Sequence, residues 1–336
     1  MAGTGIIVSN AYEKRRMFVN LALIGMGSVG LLFAARLLSS VSFPLITVTH
    51  RREQATSLAQ QGIRVRQTDG TEKCVPCAAV SLEEWSGTAD WALIFVKQPQ
   101  LPDLLCHLLV KPSHPSRFLL FQNGLGHLEM VKEYFPDSPV YAAVTTEGAM
   151  RLDDTTVLHT GTGVTWIGPV YAAGERNDPV GREQLEQLAA MLRSNGMDVQ
   201  TTSHIQERMW EKWVINCVVN PLTGILSVRN GVIGKIPDLR ELAWDVVNEA
   251  VQVAQACGVD LDGEKLYGQV LHVCDRTAAN RSSMLQDLSH RRETEIEALN
   301  GLLVRLADRR KVDVPVNRVL YRLLKTVEAL AVNQLD

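Results

Sequence analysis

The sequence predicts an α/β protein in two parts: a doubly wound, mostly parallel sheet with its helices, then an all-helical domain. Three observations predict it. From Val19 to about Ser203, short apolar, β-branched runs alternate with segments of helical period. A glycine-rich turn directly follows the first of these runs. From Ile205 onward only helical periodicity is found, punctuated by Asn230-Gly231, Gly258, Gly268 and Pro315. The expected organisation is an N-terminal extension over 1–18, a sheet domain over 19–203 and a helical domain over 204–336.

Taken in order, strand-like runs cover 20–24, 45–49, 91–96, 117–121 and 140–144, each rich in the residues that pack on a pleated surface. Runs at 63–66 and 73–80 flank Asp69-Gly70, a pair suited to a tight turn, and predict an antiparallel hairpin. A second hairpin is expected from 156–159 and 164–167 around Gly161-Thr162-Gly163. A helix over 183–193 and a last strand near Val199 complete the first domain. No internal repeat or long heptad run appears.

With 336 residues, 46% of them apolar, the chain is long enough for two packed cores. A net charge of -3, with acids and bases interspersed, gives no footprint for nucleic acid or an anionic membrane, so a small molecule is the expected partner. The six cysteines are scattered, which suits a reducing cytoplasm. Cys74-Val75-Pro76-Cys77 has a redox or zinc reading, but no second ligand pair stands at zinc-site spacing, so a structural reading is preferred and no metal is expected. Lys14-Arg15-Arg16 before an uncharged run resembles the start of a signal peptide. Gly25, Gly27 and Gly30 interrupt that run at motif spacing, which argues for a cytoplasmic protein instead.

Gly25-Met26-Gly27-Ser28-Val29-Gly30 stands between the first strand and an apolar helix, the context of the Rossmann-type dinucleotide fingerprint. Its glycines permit a tight turn and close approach of backbone to a pyrophosphate, while the helix N-terminus favours the negative charge. About twenty residues on, where an NAD site places a carboxylate, stand His50, Arg51 and Arg52. Arginine binds a 2′-phosphate that a carboxylate would repel, so NADPH is the expected cofactor, with Arg51 as its contact; solvated loop charge is the alternative. Lys97, Gln100 and Asn123 follow later strands at the edge where open sheets bind ligands, and join the cofactor-binding set.

Lys212, Asn216 and Asn220 share one stripe of a helix with apolar surroundings. Buried amides and amines need partners or work, so a ligand-facing stripe competes with an exposed polar seam.

Trp210-x-Lys212, Asn216-x-x-x-Asn220-Pro221-Leu222-Thr223, Asn280-x-Ser282-Ser283-Met284-x-Gln286-Asp287 and Thr294-Glu295-Ile296 together resemble ketopantoate reductase. With the glycine fingerprint, Lys97 and Asn123-Gly124 in the same order, the resemblance covers nearly the whole chain. It implies NADPH-dependent reduction of 2-dehydropantoate to (R)-pantoate, a step toward pantothenate and coenzyme A. It also implies Lys212 as general acid with Glu295 beside it, Ser283 at the substrate carboxylate, Asn216, Asn220 and Asn280 as orienting groups, and Asn123 near the nicotinamide. A reductase of another 2-oxoacid on the same scaffold and a non-catalytic NADPH-binding regulator are the alternatives. Apolar faces such as 299–306 leave a homodimer open.

On one straight helix Ser283 and Glu295 would stand about 18 Å apart, too far for one small substrate, so a break is expected between them. Thr294-Glu295-Ile296-Glu297 has the capping-box form and predicts a helix starting near Thr294. Ser283, with Gln286 three residues on, has a capping reading as well.

Overall fold

The computed structural model describes residues 20–39, 44–170 and 178–333; the expected extension over 1–18 lies outside them. By its contacts the chain divides into two compact units, Met1–Gln122 with Gly126–Ile205, and Asn123–Leu125 with Gln206–Asp336.

The first unit is built on an eight-stranded sheet. Along the chain its strands are β1 (Leu21–Ile24), β2 (Leu45–Thr49), β5 (Ala79–Ser81), β6 (Trp91–Ile94), β7 (Arg117–Leu120), β8 (Val140–Thr145), β11 (Val164–Pro169) and β12 (Asp198–Thr201). They lie in the order β12-β11-β8-β7-β6-β1-β2-β5, all pairs parallel except β11 with β8. The central strands β1 and β6 are buried at every position, as strands covered by helices on both faces must be. Helix α1 (Ser28–Leu38) buries Leu31, Leu32, Phe33 and Leu37 against the sheet; α2 (Arg52–Gln61), α3 (Leu101–Leu109), α4 (His127–Tyr134) and α5 (Pro179–Ser194) complete the winding.

A smaller sheet, β4-β3-β10-β9, holds β3 (Ile63–Gln67), β4 (Glu72–Val75), β9 (Gly148–Arg151) and β10 (Thr156–Gly161). Here the structure corrects two expectations. The run 73–80 is not one strand: β4 pairs with β3 as a hairpin should, but β5 crosses to the edge of the large sheet beside β2. Pro76, which has no N–H to continue a ladder, stands at the break. The runs 156–159 and 164–167 do form strands, but not with each other. β10 is taken by β9 and β3, whereas β11 pairs with β8 and β12, so Gly161 to Gly163 is a crossover between sheets. Cys74 and Cys77 donate their thiols to the Gln61 and Leu58 carbonyls, in the last turn of α2, and burial pushes the Cys77 thiol up to about 11.

Among the described residues all elements of the second unit are helical: α6 (Ile205–Leu226), a 3-10 turn over Asn230–Val232, α7 (Pro237–Ala256), α8 (Gly263–Arg276), α9 (Ser283–Ser289), a π turn over Glu297–Gly301, α10 (Leu302–Arg310) and α11 (Pro315–Asn333). Leu299, Leu303 and Val304 join Trp213, Val218 and Val247 in its core, so the apolar face at 299–306 is spent inside the unit. Pro221 lies within α6 and cannot donate to the Cys217 carbonyl one turn back. Asn300 replaces that donor: its Nδ2 reaches Cys217 O at 3.0 Å and Asn317 Oδ1 at 2.9 Å. Asn317 Nδ2 in turn donates to Glu249 Oε2 at 2.7 Å, and Glu249 also accepts the Val316 and Asn317 amides at the start of α11. Among the described residues no helix is long and apolar enough to cross a membrane.

Candidate active site

In the first unit, β1 leads into the glycine turn. Gly25 has φ +98°, and a β-carbon there would sit 2.7 Å from the Val96 amide nitrogen, so both conformation and space demand glycine. At Gly30 a β-carbon would overlap the Gly25 carbonyl oxygen, while at Gly27 it would meet nothing within 4 Å. The turn is therefore tight on the protein side and open on the other. No side chain caps the start of α1 and no acid occupies its first turn, which leaves the electropositive helix end suited to a phosphate. This chemistry fits a dinucleotide pyrophosphate.

Two bonds from distant segments hold the turn. Gln54 Nε2 donates to the Met26 carbonyl at 2.8 Å, and Ser28 Oγ accepts the Arg151 amide at 3.0 Å. Gln54 also reaches the Asp154 carbonyl at 3.1 Å. Val29 packs against the core of the unit. Arg51 stands just beyond β2, half exposed and ion-paired with Asp154, and Arg52 pairs with Glu84. Lys97 and Gln100 are exposed after β6, at the start and end of a 3-10 turn that leads into α3. The cofactor-binding residues expected from sequence thus follow β1, β2, β6 and β7, and Asp154 is a neighbour of Arg51 that local reading could not supply.

The other expected residues all belong to the second unit, as Asn123 does by its contacts, and three of them are joined there. Lys212 Nζ donates to Asn123 Oδ1 at 2.7 Å, and Asn123 Nδ2 donates to Glu295 Oε2 at 3.3 Å, so one amide spans the ammonium and the carboxylate. Burial pushes the Lys212 amine down from its ordinary 10.5 to about 8, against the opposing pull of Glu295. Asn216 and Asn220 follow on successive turns of α6, the first partly buried and the second buried.

Between α9 and the π turn the chain is irregular, which supplies the break expected there. The capping box does not form. Helical turns start at Glu297, and Glu328 takes the Thr294 amide in its place. Glu297 instead binds Arg305 and Tyr321. Ser282, not Ser283, caps α9, accepting the Leu285 amide at 3.1 Å and a hydrogen bond from Thr223 at 2.7 Å. Ser283 is left exposed at the first turn, as is Asn280 just before it, whose carbonyl accepts the Asn230 amide at 3.0 Å. Trp213 Nε1 binds the Ala298 carbonyl at 2.9 Å and fastens the π turn to α6.

Residues 21–172 match the family model described as ketopantoate reductase PanE/ApbA, and residues 204–328 match the model of that family's C-terminal domain. A 2-dehydropantoate 2-reductase of Vibrio cholerae is 36% identical over 71% of this chain and 78% of its own length. The crystal structure of a probable 2-dehydropantoate 2-reductase from Bacillus subtilis superposes with a TM-score of 0.77 at 28% identity, covering 92% of this chain and all of that one. A D-mandelate dehydrogenase solved with NADH and anilino(oxo)acetate shares the fold, with a TM-score of 0.83 at 22% identity over 93% of this chain and 99% of that one.

Proposed function

The chain belongs to the ketopantoate reductase family, and from that premise we propose that it is a cytoplasmic enzyme reducing 2-dehydropantoate to (R)-pantoate with NADPH. The observation that carries the reading is the Lys212–Asn123–Glu295 chain, an ammonium withdrawn from water and joined through one amide to a carboxylate. NADPH, when bound, would supply the hydride. Lys212 gives its proton to the ketone oxygen as charge develops there, and its positive charge stabilises that oxygen. Glu295 opposes the effect of burial and so keeps a larger share of Lys212 protonated near neutral pH. Asn216, Asn220 and Asn280 orient the substrate, with Ser283 at its carboxylate.

Gly25, Met26, Gly27, Ser28, Val29 and Gly30 hold the pyrophosphate, with Lys97 and Gln100 along the same edge. Arg51 exchanges Asp154 for the 2′-phosphate, a dianion that accepts a bidentate guanidinium. A homodimer is part of the proposal: Val319, Leu323 and Leu330 leave an exposed apolar stripe on α11.

The test is NADPH oxidation followed by absorbance with 2-dehydropantoate, beside NADH and a panel of other 2-oxoacids. Turnover with 2-dehydropantoate and a clear preference for NADPH is expected, with kcat/KM falling as pH rises past about 8. Equal kcat/KM for the two cofactors would remove the role of Arg51. Turnover with another 2-oxoacid alone would keep the mechanism and replace the substrate, and tight NADPH binding without any turnover would favour a regulator.

A further inference from the structure

Glu328 lies outside the proposed reaction, yet it holds the residue next to Glu295. The Thr294 amide and hydroxyl both donate to Glu328 Oε1, at 2.6 and 2.8 Å, and Lys325 Nζ donates to Oε2 at 2.8 Å. Glu328 and Thr294 are both buried. Burial alone would push the Glu328 carboxyl up, but the bonds from Lys325 and Thr294 outweigh it and hold the group below the usual range, hence ionised.

A local capping box would have made Thr294 the N-cap and Glu295 the first residue of a helix. Because Glu328 takes the Thr294 amide from a helix 34 residues away, the helical turns begin only at Glu297. Glu295 therefore sits in the irregular stretch, pinned on one side by Glu328 at Thr294 and on the other by Trp213 at Ala298.

We propose that Glu328 is a positioning residue for the reduction: by clamping Thr294 it holds the Glu295 carboxylate on the Asn123 amide that carries Lys212. The inference rests on Lys212 being the acid. Charged or titratable groups around the clamp are Lys325, Glu297, Arg305 and Tyr321; among the described residues, Glu295 is the charged group acting on Lys212. Losing the clamp lets Glu295 leave Asn123, removes its support of the ammonium, and lowers the pH at which Lys212 gives up its proton.

The experiment measures kcat and KM from pH 6 to 10 for Glu328→Ala, Glu328→Gln and Glu295→Gln in the full chain, with NADPH and 2-dehydropantoate, and the folded fraction by circular dichroism. In Glu328→Ala the alkaline limb should move to lower pH by roughly half to one unit, with kcat at pH 8 down about two- to five-fold and KM for NADPH unchanged. Glu328→Gln keeps an acceptor for Thr294 and should move the limb less, in the same direction. If Glu328→Ala does not fold, Thr294→Ser, which keeps the hydroxyl bonds to Glu328 and Ile296, must keep the wild-type limb, and Thr294→Val, which deletes both, must move it in the same direction as Glu328→Gln. A wild-type limb in these variants, with activity lost only in proportion to the folded fraction, would reduce Glu328 to a structural role. If Glu295→Gln also leaves the limb in place, the acid reading itself falls, and this inference with it.

Discussion

Replacing Lys212 by methionine should make the protein more stable while nearly abolishing its activity. Below pH 8 the folded chain holds a charged amine where burial has lowered its pKa from 10.5 to about 8. At about 1.4 kcal/mol per pH unit, that charge costs the folded state roughly 3 kcal/mol relative to an unperturbed lysine. Methionine fills much the same space without a charge. Against the gain stands the loss of the hydrogen bond to Asn123, which leaves Asn123 Oδ1 without its donor at a cost of about 1–3 kcal/mol. The net expectation is a gain of about 0.5–2 kcal/mol at pH 7, together with a fall in kcat of about 10²- to 10⁴-fold. The pH dependence tests the cause. Between pH 8 and 10.5 the unfolded wild-type chain still holds a proton that the folded chain has released, so wild-type stability rises with pH and the variant loses its advantage, ending less stable than wild type by the missing hydrogen bond, about 1–3 kcal/mol. Urea unfolding at pH 7, 8.5 and 10 reads the difference directly. A variant that is less stable than wild type at pH 7, or whose stability difference does not change with pH, would refute the reasoning; near-wild-type turnover would remove Lys212 from the chemistry.

Two further substitutions test other buried groups. His127 is fully buried, neither ring nitrogen has a partner among the described residues, and burial pushes its pKa down from 6.5 to about 4. As pH falls through that interval the unfolded chain takes up a proton that the folded chain refuses, so wild type should lose about 3 kcal/mol that His127→Leu retains, a difference read from urea midpoints at pH 7, 5 and 4. Asn300→Ala strips the Cys217 carbonyl and Asn317 Oδ1 of their donor in a fully buried site, and should cost about 2–4 kcal/mol by chemical denaturation; a loss under 1 kcal/mol would show that water replaces the amide.

What the sequence made legible was whatever is written locally. The strand at 45–49 and the glycine turn are short, periodic signals, and both are found as expected. The break between Ser283 and Glu295 followed from helix geometry together with the roles the resemblance implied for both residues. Illegible were the features in which a distant segment overrules a neighbour. Gly148–Arg151 has no β-branched residue and becomes a strand only because β10 offers it an edge. The capping box at Thr294 was a sound local signal, but a buried carboxylate from α11 competes better for the same amide. Asn300 reaches Cys217 across 83 residues, although Pro221 in the middle of a predicted helix does announce that some donor must serve that carbonyl. Asp154 beside Arg51 had no comparable signal, because charge partners leave no periodicity.

On the proposed reading of the glycine turn as the pyrophosphate site, the two bonds that fasten it, from Gln54 and from the Arg151 amide, would place part of the cofactor's affinity outside the turn itself. A turn already tied in its working shape loses little conformational freedom when a ligand arrives, so binding energy is not spent on ordering it. The small sheet that carries Arg151 is then a buttress rather than an ornament. Substitutions around the crossover near Gly161, or in the turn after β9, would loosen the turn first and be felt as weaker nucleotide binding, while the large sheet stayed intact.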